Sequence, residues 1–121
     1  MFHRMIVDTN AIIYLVKKKR VDSLKNIGNQ MNEIIIPTSV VDELRVLSER
    51  SPTSEVFRTA LGLTATMKQY STGYKGDDAI IQVARELGSF VLTNDKDLKN
   101  RLKKLGIGVY SVRTNGNIVP S

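Results

Sequence analysis

The chain has 121 residues, with 41% hydrophobic and 25% charged residues, and 18 Lys+Arg against 12 Asp+Glu give a formal net charge of +6. Length and composition fit a single ordinary globular domain, 1–121, and the positive charge favours a polyanionic partner. With no cysteine, disulfides, thiol catalysis and cysteine-ligated zinc are excluded, which fits a cytoplasmic protein; no apolar run nears the roughly 18 residues of a membrane span, and the stretch before Asp8 is too short for a signal peptide.

Met5 to Val7 is a β-branched, apolar run with no alternation, the pattern of a strand buried on both faces. It stops at Asp8, and a helix follows from about Ala11 into Lys17-Lys18-Lys19-Arg20. That basic cluster reads either as a solvated helix end, favoured by the helix dipole, or as a contact for phosphate. Val21 to Ile27 spaces Leu24 and Ile27 helically, and Ile34-Ile35-Ile36 is a second buried strand closed by Pro37. Thr38-Ser39 is then the expected cap of a helix whose stripe is Val40, Leu44 and Leu47; Glu43 borders that stripe instead of lying opposite it. After the break at Ser51-Pro52-Thr53-Ser54, one helix is expected from Glu55 to about Gln69, carrying Val56, Ala60, Leu63 and Met67. A loop from Ser71 to Gly76 leads to a helix opened by Asp77-Asp78 and ended by Gly88 as a C′ glycine. Phe90-Val91-Leu92 is a third buried strand, running into Thr93-Asn94-Asp95. The helix after it is strongly basic (Lys96, Lys99, Arg101, Lys103, Lys104) around a narrow stripe of Leu98, Leu102 and Leu105. Val109 to Val112 is the last strand expected, with 113–121 a frayed tail.

This alternation of strands and helices predicts a three-layer α/β/α domain with a central parallel sheet. Right-handed crossovers bring the helix-entering turns to one sheet edge, where ligands bind in open α/β sheets. Asp8, Asp95 and the helix start bearing Asp77 share that edge, and Glu43 is within reach of it. Asp8 also has a purely structural reading, as a helix N-cap. Convergence of four carboxylates with no basic residue evident among them weakens the cap reading for Asp8 and Asp95, because such crowding is costly unless a cation compensates. All-oxygen ligands suit Mg²⁺ or Mn²⁺ better than Zn²⁺. By helix phase Asp77 projects inward, while Asp78 is the cap or outer-shell residue.

Other acidic α/β sites fit less well. A haloacid-dehalogenase-type phosphatase needs a second aspartate where this chain has Asn10. A toprim site needs a glutamate after its first strand, and a receiver domain a lysine directly after a late strand. Neither a P-loop nor a dinucleotide-binding glycine motif is present.

Four stretches in order, Ile6-Val7-Asp8-Thr9-Asn10, Pro37-x-x-Val40-x-x-Glu43-Leu44, Asp77-Asp78-Ala79-Ile80 with Ala84, and Leu92-Thr93-Asn94-Asp95-x-x-Leu98, resemble the motifs of PIN-domain ribonucleases. The resemblance covers nearly the whole chain and is strongest to archaeal single-domain members related to rRNA-processing nucleases and to VapC toxins. With no cysteine, the chain has no zinc ribbon of the kind some rRNA-processing relatives carry. The resemblance implies an endoribonuclease that uses Mg²⁺ or Mn²⁺, with Asp8, Glu43, Asp77 and Asp95 as catalytic metal ligands, Asp78 and Asp97 as second candidates for the metal, and Thr9, Asn10, Thr93 and Asn94 in supporting positions. RNA is the implied substrate, for which Lys17 to Arg20 and the basic residues of 96–104 would hold the backbone. Further partners to expect are a second copy, an antitoxin or a ribosome-assembly factor. Three roles stay open: rRNA processing, a toxin of a toxin–antitoxin pair, and a catalytically silent RNA-binding or assembly module.

Overall fold

The computed structural model describes residues 3–121. Strand β1 (Arg4–Val7) leads to helices α1 (Thr9–Lys17) and α2 (Val21–Gln30); β2 (Glu33–Pro37) leads to α3 (Thr38–Arg50) and α4 (Glu55–Thr64); then follow β3 (Lys68–Tyr70), α5 (Gly76–Leu87), β4 (Phe90–Leu92), α6 (Lys96–Lys104), β5 (Val109–Val112) and β6 (Ile118–Pro120). The six strands form one sheet in the order β3-β2-β1-β4-β5-β6. All neighbours are parallel except β5 and β6. Met5, Ile6 and Val7 are wholly buried, as the lack of alternation in their sequence requires when helices cover both faces of a strand. Helix α5 packs on β1, β2 and β4, α3 on β2, and α1 and α6 on β5. Their stripes supply Leu15, Leu44, Ile80, Leu98 and Leu102 to the core, each at most 2% exposed. Among the described residues no helix is long and apolar enough to cross a membrane.

The strand order reverses at β1: successive strands run outward to β2 and β3 on one side, and to β4, β5 and β6 on the other. A crevice opens outside the carboxyl ends of the strands at such a switch point. Here the register pairs Val7 with Leu92, so Asp8 and Thr93 emerge side by side.

The structure corrects three local expectations. The helix beginning at Glu55 ends at Thr64, and Met67 lies beyond it. Thr64 and Thr66 each donate a side-chain hydroxyl to a carbonyl three residues back, Leu61 and Leu63, and so compete with the helical ladder. Lys68–Tyr70 then pairs with β2 as a short, polar edge strand, its Lys68 bridging to Glu33 at 3.1 Å. Secondly, α3 has no side-chain cap: Pro37 occupies the cap position, and the Thr38 hydroxyl accepts from the Thr72 amide at 3.4 Å. Thirdly, 113–121 is not frayed. The chain turns at Asn115-Gly116, with Arg113 N–H donating to the Asn117 carbonyl at 2.8 Å, and β6 pairs antiparallel with β5. Gly116 has φ +89°, the left-handed region that glycine enters without cost, and a Cβ there would run into the Arg20 side chain.

Candidate active site

Asp8 follows β1 directly and occupies the N-cap position of α1, yet its side chain makes no capping bond. Its backbone carbonyl takes the Ala11 and Ile12 amides instead. The carboxylate is thereby left for other partners, and at 9% exposure it is close to fully buried. Its Oδ2 accepts from the Thr93 hydroxyl at 2.8 Å. Burial pushes the Asp8 carboxyl above the usual aspartate range; the Thr93 hydroxyl and Thr9 amide oppose this, and the charges of Asp77 and Glu43 add to it.

Thr93, wholly buried, also accepts from the Asp95 amide at 3.1 Å. One hydroxyl thus ties the ends of β1 and β4 together. Asp95 caps α6, its Oδ1 accepting from the Leu98 amide at 2.9 Å, so here the capping role is real. Asp95 nonetheless borders the same recess as Asp8. Glu43, on the second turn of α3, is exposed and accepts from the Thr9 hydroxyl at 3.3 Å. Asp77 opens α5 half-buried. Its carboxyl is also raised, by burial first and then by Asp95, with the Arg101 guanidinium opposing and Asp78 and Asp97 contributing further.

Asp8, Glu43, Asp77 and Asp95 border one recess of about 150 Å³, with Thr9, Asn10, Ser39 and Gly76 on its wall. Among the described residues lining it, none is Lys or Arg. Asp78 points elsewhere and pairs with Arg101 at 3.0 Å, and Asp97, exposed on the first turn of α6, does not border the recess. Asn94 lies on the far side of the β4 end. Its amide exchanges two hydrogen bonds with the Val112 backbone, at 2.9 and 2.8 Å, and so prolongs the β4–β5 ladder. Sequence reasoning passed over Ser39 and Gly76. Gly76 has φ +59° immediately before the paired aspartates, so the Lys75-Gly76-Asp77 turn was the available signal.

The basic segments divide by position. Helix α1 starts at the recess, so Lys17, Lys18 and Lys19 lie at its far end, near the opposite sheet edge. Lys18 stacks over the Tyr14 ring at 5.5 Å. Arg20 is engaged within the fold: it pairs with Asp22 at 3.1 Å and donates to the Asn115 carbonyl at 2.6 Å, which fastens the β5–β6 turn. Helix α6 begins at Asp95, placing Lys96 beside the recess and Lys103 and Lys104 at the distant end.

Among the described residues, no three acidic or imidazole side chains stand close enough together to form a ready-made metal cage. The side-chain donors around the recess are oxygens, the carboxyls of Asp8 and Asp77 are raised by burial first and then by neighbouring charge, and no cation lines the wall among the described residues. That chemistry fits a hard divalent ion such as Mg²⁺, which keeps several of its waters and needs only one or two direct carboxylates.

A mostly parallel α/β sheet with an acidic recess at its switch point is the architecture of a PIN domain. The chain belongs to the family described as PIN like domain, whose model matches residues 5–115. It is similar to Ribonuclease VapC9 of Archaeoglobus fulgidus, 35% identical over 108 residues that cover 86% of this chain and 78% of that protein. Ribonuclease VapC4 of Methanocaldococcus jannaschii is 31% identical over 119 residues, covering 92% of this chain and 91% of the relative. Among solved structures, the PIN domain endonuclease Utp24 superposes with a TM-score of 0.78 at 26% identity, over 98% of this chain and 90% of that one.

Proposed function

We propose that this protein is a metal-dependent endoribonuclease that hydrolyses RNA phosphodiester bonds in RNA processing, with ribosomal RNA maturation as its setting. The observation that carries the reading is the meeting of Asp8, Glu43, Asp77 and Asp95, from four separate chain segments, around one recess without a lining cation. Burying these carboxyls, and to a lesser degree crowding them, lowers stability, as the raised carboxyls of Asp8 and Asp77 indicate, and a divalent ion offsets that cost. Asp8, Asp77 and Asp95 would hold Mg²⁺ or Mn²⁺, one or two of them directly and the rest through its waters, with Glu43 direct or through water. When bound, the ion supplies an activated water and charge stabilisation for in-line displacement at phosphorus. Thr93 orients Asp8 and the backbone of Asp95, and Thr9 orients Glu43. Lys96 and Lys99, on the α6 turns that follow Asp95, would hold the RNA backbone.

A second reading is a VapC-like toxin, favoured by the two VapC ribonucleases among the relatives. Purified protein incubated with RNA in Mn²⁺, in EDTA, and as an Asp8→Asn variant tests the enzymatic reading. Cleavage restricted to the wild type in Mn²⁺ supports it; metal binding and RNA binding without cleavage would instead mean a silent module. Growth arrest on expression, relieved by a small co-expressed partner, would assign the toxin role.

A further inference from the structure

Next to the acidic recess lies a second groove of about 400 Å³, between α3 and the loop leading to α5. The two cavities share Ser39, Glu43 and Gly76, so one surface runs continuously from one into the other. Three large apolar side chains are conspicuously exposed in the described chain, and two of them, Tyr74 at 53% and Val46 at 43%, line this groove. Neither exposure helps the fold. Tyr74 is nevertheless held in place: its amide donates to the Thr72 hydroxyl at 3.1 Å, and the Thr72 amide donates to the Thr38 hydroxyl at the start of α3. Lys75 adds the groove's one cation, against the carboxylates of Asp42 and Glu43.

We infer that this groove receives one unpaired nucleotide of the RNA strand beside the scissile phosphate, with its base stacked on the Tyr74 ring and Val46 as the apolar wall. The inference rests on the ribonuclease reading above and specifies how that site takes its substrate. A groove of this size lies within the roughly 300–1,000 Å³ of small-ligand sites, and an aromatic ring with a flanking cation is the combination that binds single strands, the ring taking the base and the cation the backbone. The basic helix α6 carries no aromatic, so it can neutralise phosphate but not stack on a base. A base held beside the recess would fix the phosphate's position along the strand. The Asp42 carboxylate, at the groove edge, pairs with Arg45 through one oxygen at 3.3 Å and would accept on the other from the amino or imino N–H of that base, favouring bases that present donors.

The test compares wild type, Tyr74→Ala and Tyr74→Phe for binding of a short single-stranded RNA in Ca²⁺, which suppresses turnover, with an otherwise identical RNA carrying one abasic site at each position in turn. Wild type should lose at least about fivefold in affinity at one abasic position only. Tyr74→Ala should bind about fivefold or more weakly and be indifferent to that position, while Tyr74→Phe keeps the wild-type pattern. Wild type that binds RNA with no position-specific loss, or Tyr74→Ala that keeps it, overturns the nucleotide groove and leaves the ribonuclease reading intact. Wild type that neither binds nor cleaves RNA overturns both. Because Tyr74 is exposed, Tyr74→Ala should retain the wild-type circular dichroism and melting midpoint; if it does not, Val46→Ser replaces it, with the same loss of position dependence expected.

Discussion

The hydroxyl of Thr93 donates to one oxygen of Asp8 across 2.8 Å while accepting the amide of Asp95, so a single uncharged side chain fixes the relation between the two strand ends of the recess. Replacing it with an isosteric methyl should act on both. In Thr93→Val the buried Asp8 carboxylate and the Asp95 N–H each lose a partner, which should lower stability by about 1–3 kcal/mol. Metal affinity or activity should fall by about 10- to 100-fold, the usual effect of removing a group that orients a ligand. Denaturant unfolding and a Mn²⁺ titration measure the two; unchanged affinity would show that Thr93 serves the fold alone.

The raised carboxyl of Asp8 fixes the sign of a pH effect. A group that binds protons more tightly folded than unfolded contributes stability below its unfolded value, and this is lost as pH rises through its folded value. Asp8 and Asp77 both act in this direction, while the lowered carboxyls of Asp22, Glu33 and Glu86 act oppositely and lose their contribution in acid. Comparing wild type with Asp8→Asn cancels the latter. In EDTA the variant should be as stable as wild type or more so at neutral pH, the difference shrinking toward the ordinary aspartate range near pH 4. RNA cleavage by the variant should fall to background. A variant that melts several degrees below wild type at neutral pH would make Asp8 a structural residue.

Adjacent aspartates on α5 should behave unequally. Asp77 borders the recess, whereas Asp78 pairs with Arg101 on the surface. Asp77→Asn should abolish metal-dependent cleavage. Asp78→Asn should cost at most the worth of an exposed ion pair, about 0.2–1 kcal/mol in stability, with most activity kept. Equal losses in a cleavage assay would refute the separation.

RNA held through phosphates should respond to salt. Affinity in Ca²⁺ should fall with a slope near −0.7 per phosphate contact for single strands. Neutralising Lys96 and Lys99 together should flatten that slope by about one unit per lost contact, with sequence preference unchanged. Neutralising Lys17, Lys18 and Lys19, which lie at the other end of α1, should leave it alone. If neither variant alters the slope, both segments are solvated faces and the strand runs elsewhere.

Gly116 should tolerate no side chain. Gly116→Ala meets both a φ of +89° and the Arg20 side chain, and should cost about 1–3 kcal/mol. Hydrogen exchange should locate the loss at the β5–β6 turn; full protection there in the variant would show that Arg20 simply moves aside.

The elements legible in the sequence are those with one strong local signal. Unbroken β-branched runs gave β1 and β2, helical stripes bordered by carboxylates gave α3 and α5, and Gly88, at φ +60°, ended α5 where a C′ glycine is expected. What escaped depends on partners distant in the chain. Lys68-Gln69-Tyr70 has no strand pattern of its own and becomes one only because β2 offers a free edge. Strand β6 is the exception, since Asn115-Gly116 between Val109–Val112 and Ile118-Val119 is a local hairpin signal. Arg20 looked like surface charge because nothing local foretells that Asn115, 95 residues later, would accept its guanidinium. The site itself was legible as a set of acids on one sheet edge, but the link through Thr93 joins positions 85 residues apart and needed the register.

Strands β1 and β4 are neighbours at the centre of the sheet although most of the chain separates them. Nearly the whole polypeptide must therefore leave the ribosome before Asp8 can meet Thr93 and Asp95, and loop closure of that length is among the slower steps of folding. A nascent chain carries its first aspartate exposed, solvated and without its neighbours. The four acids of the recess can therefore come together only once β4 and the first turn of α6 have joined the sheet.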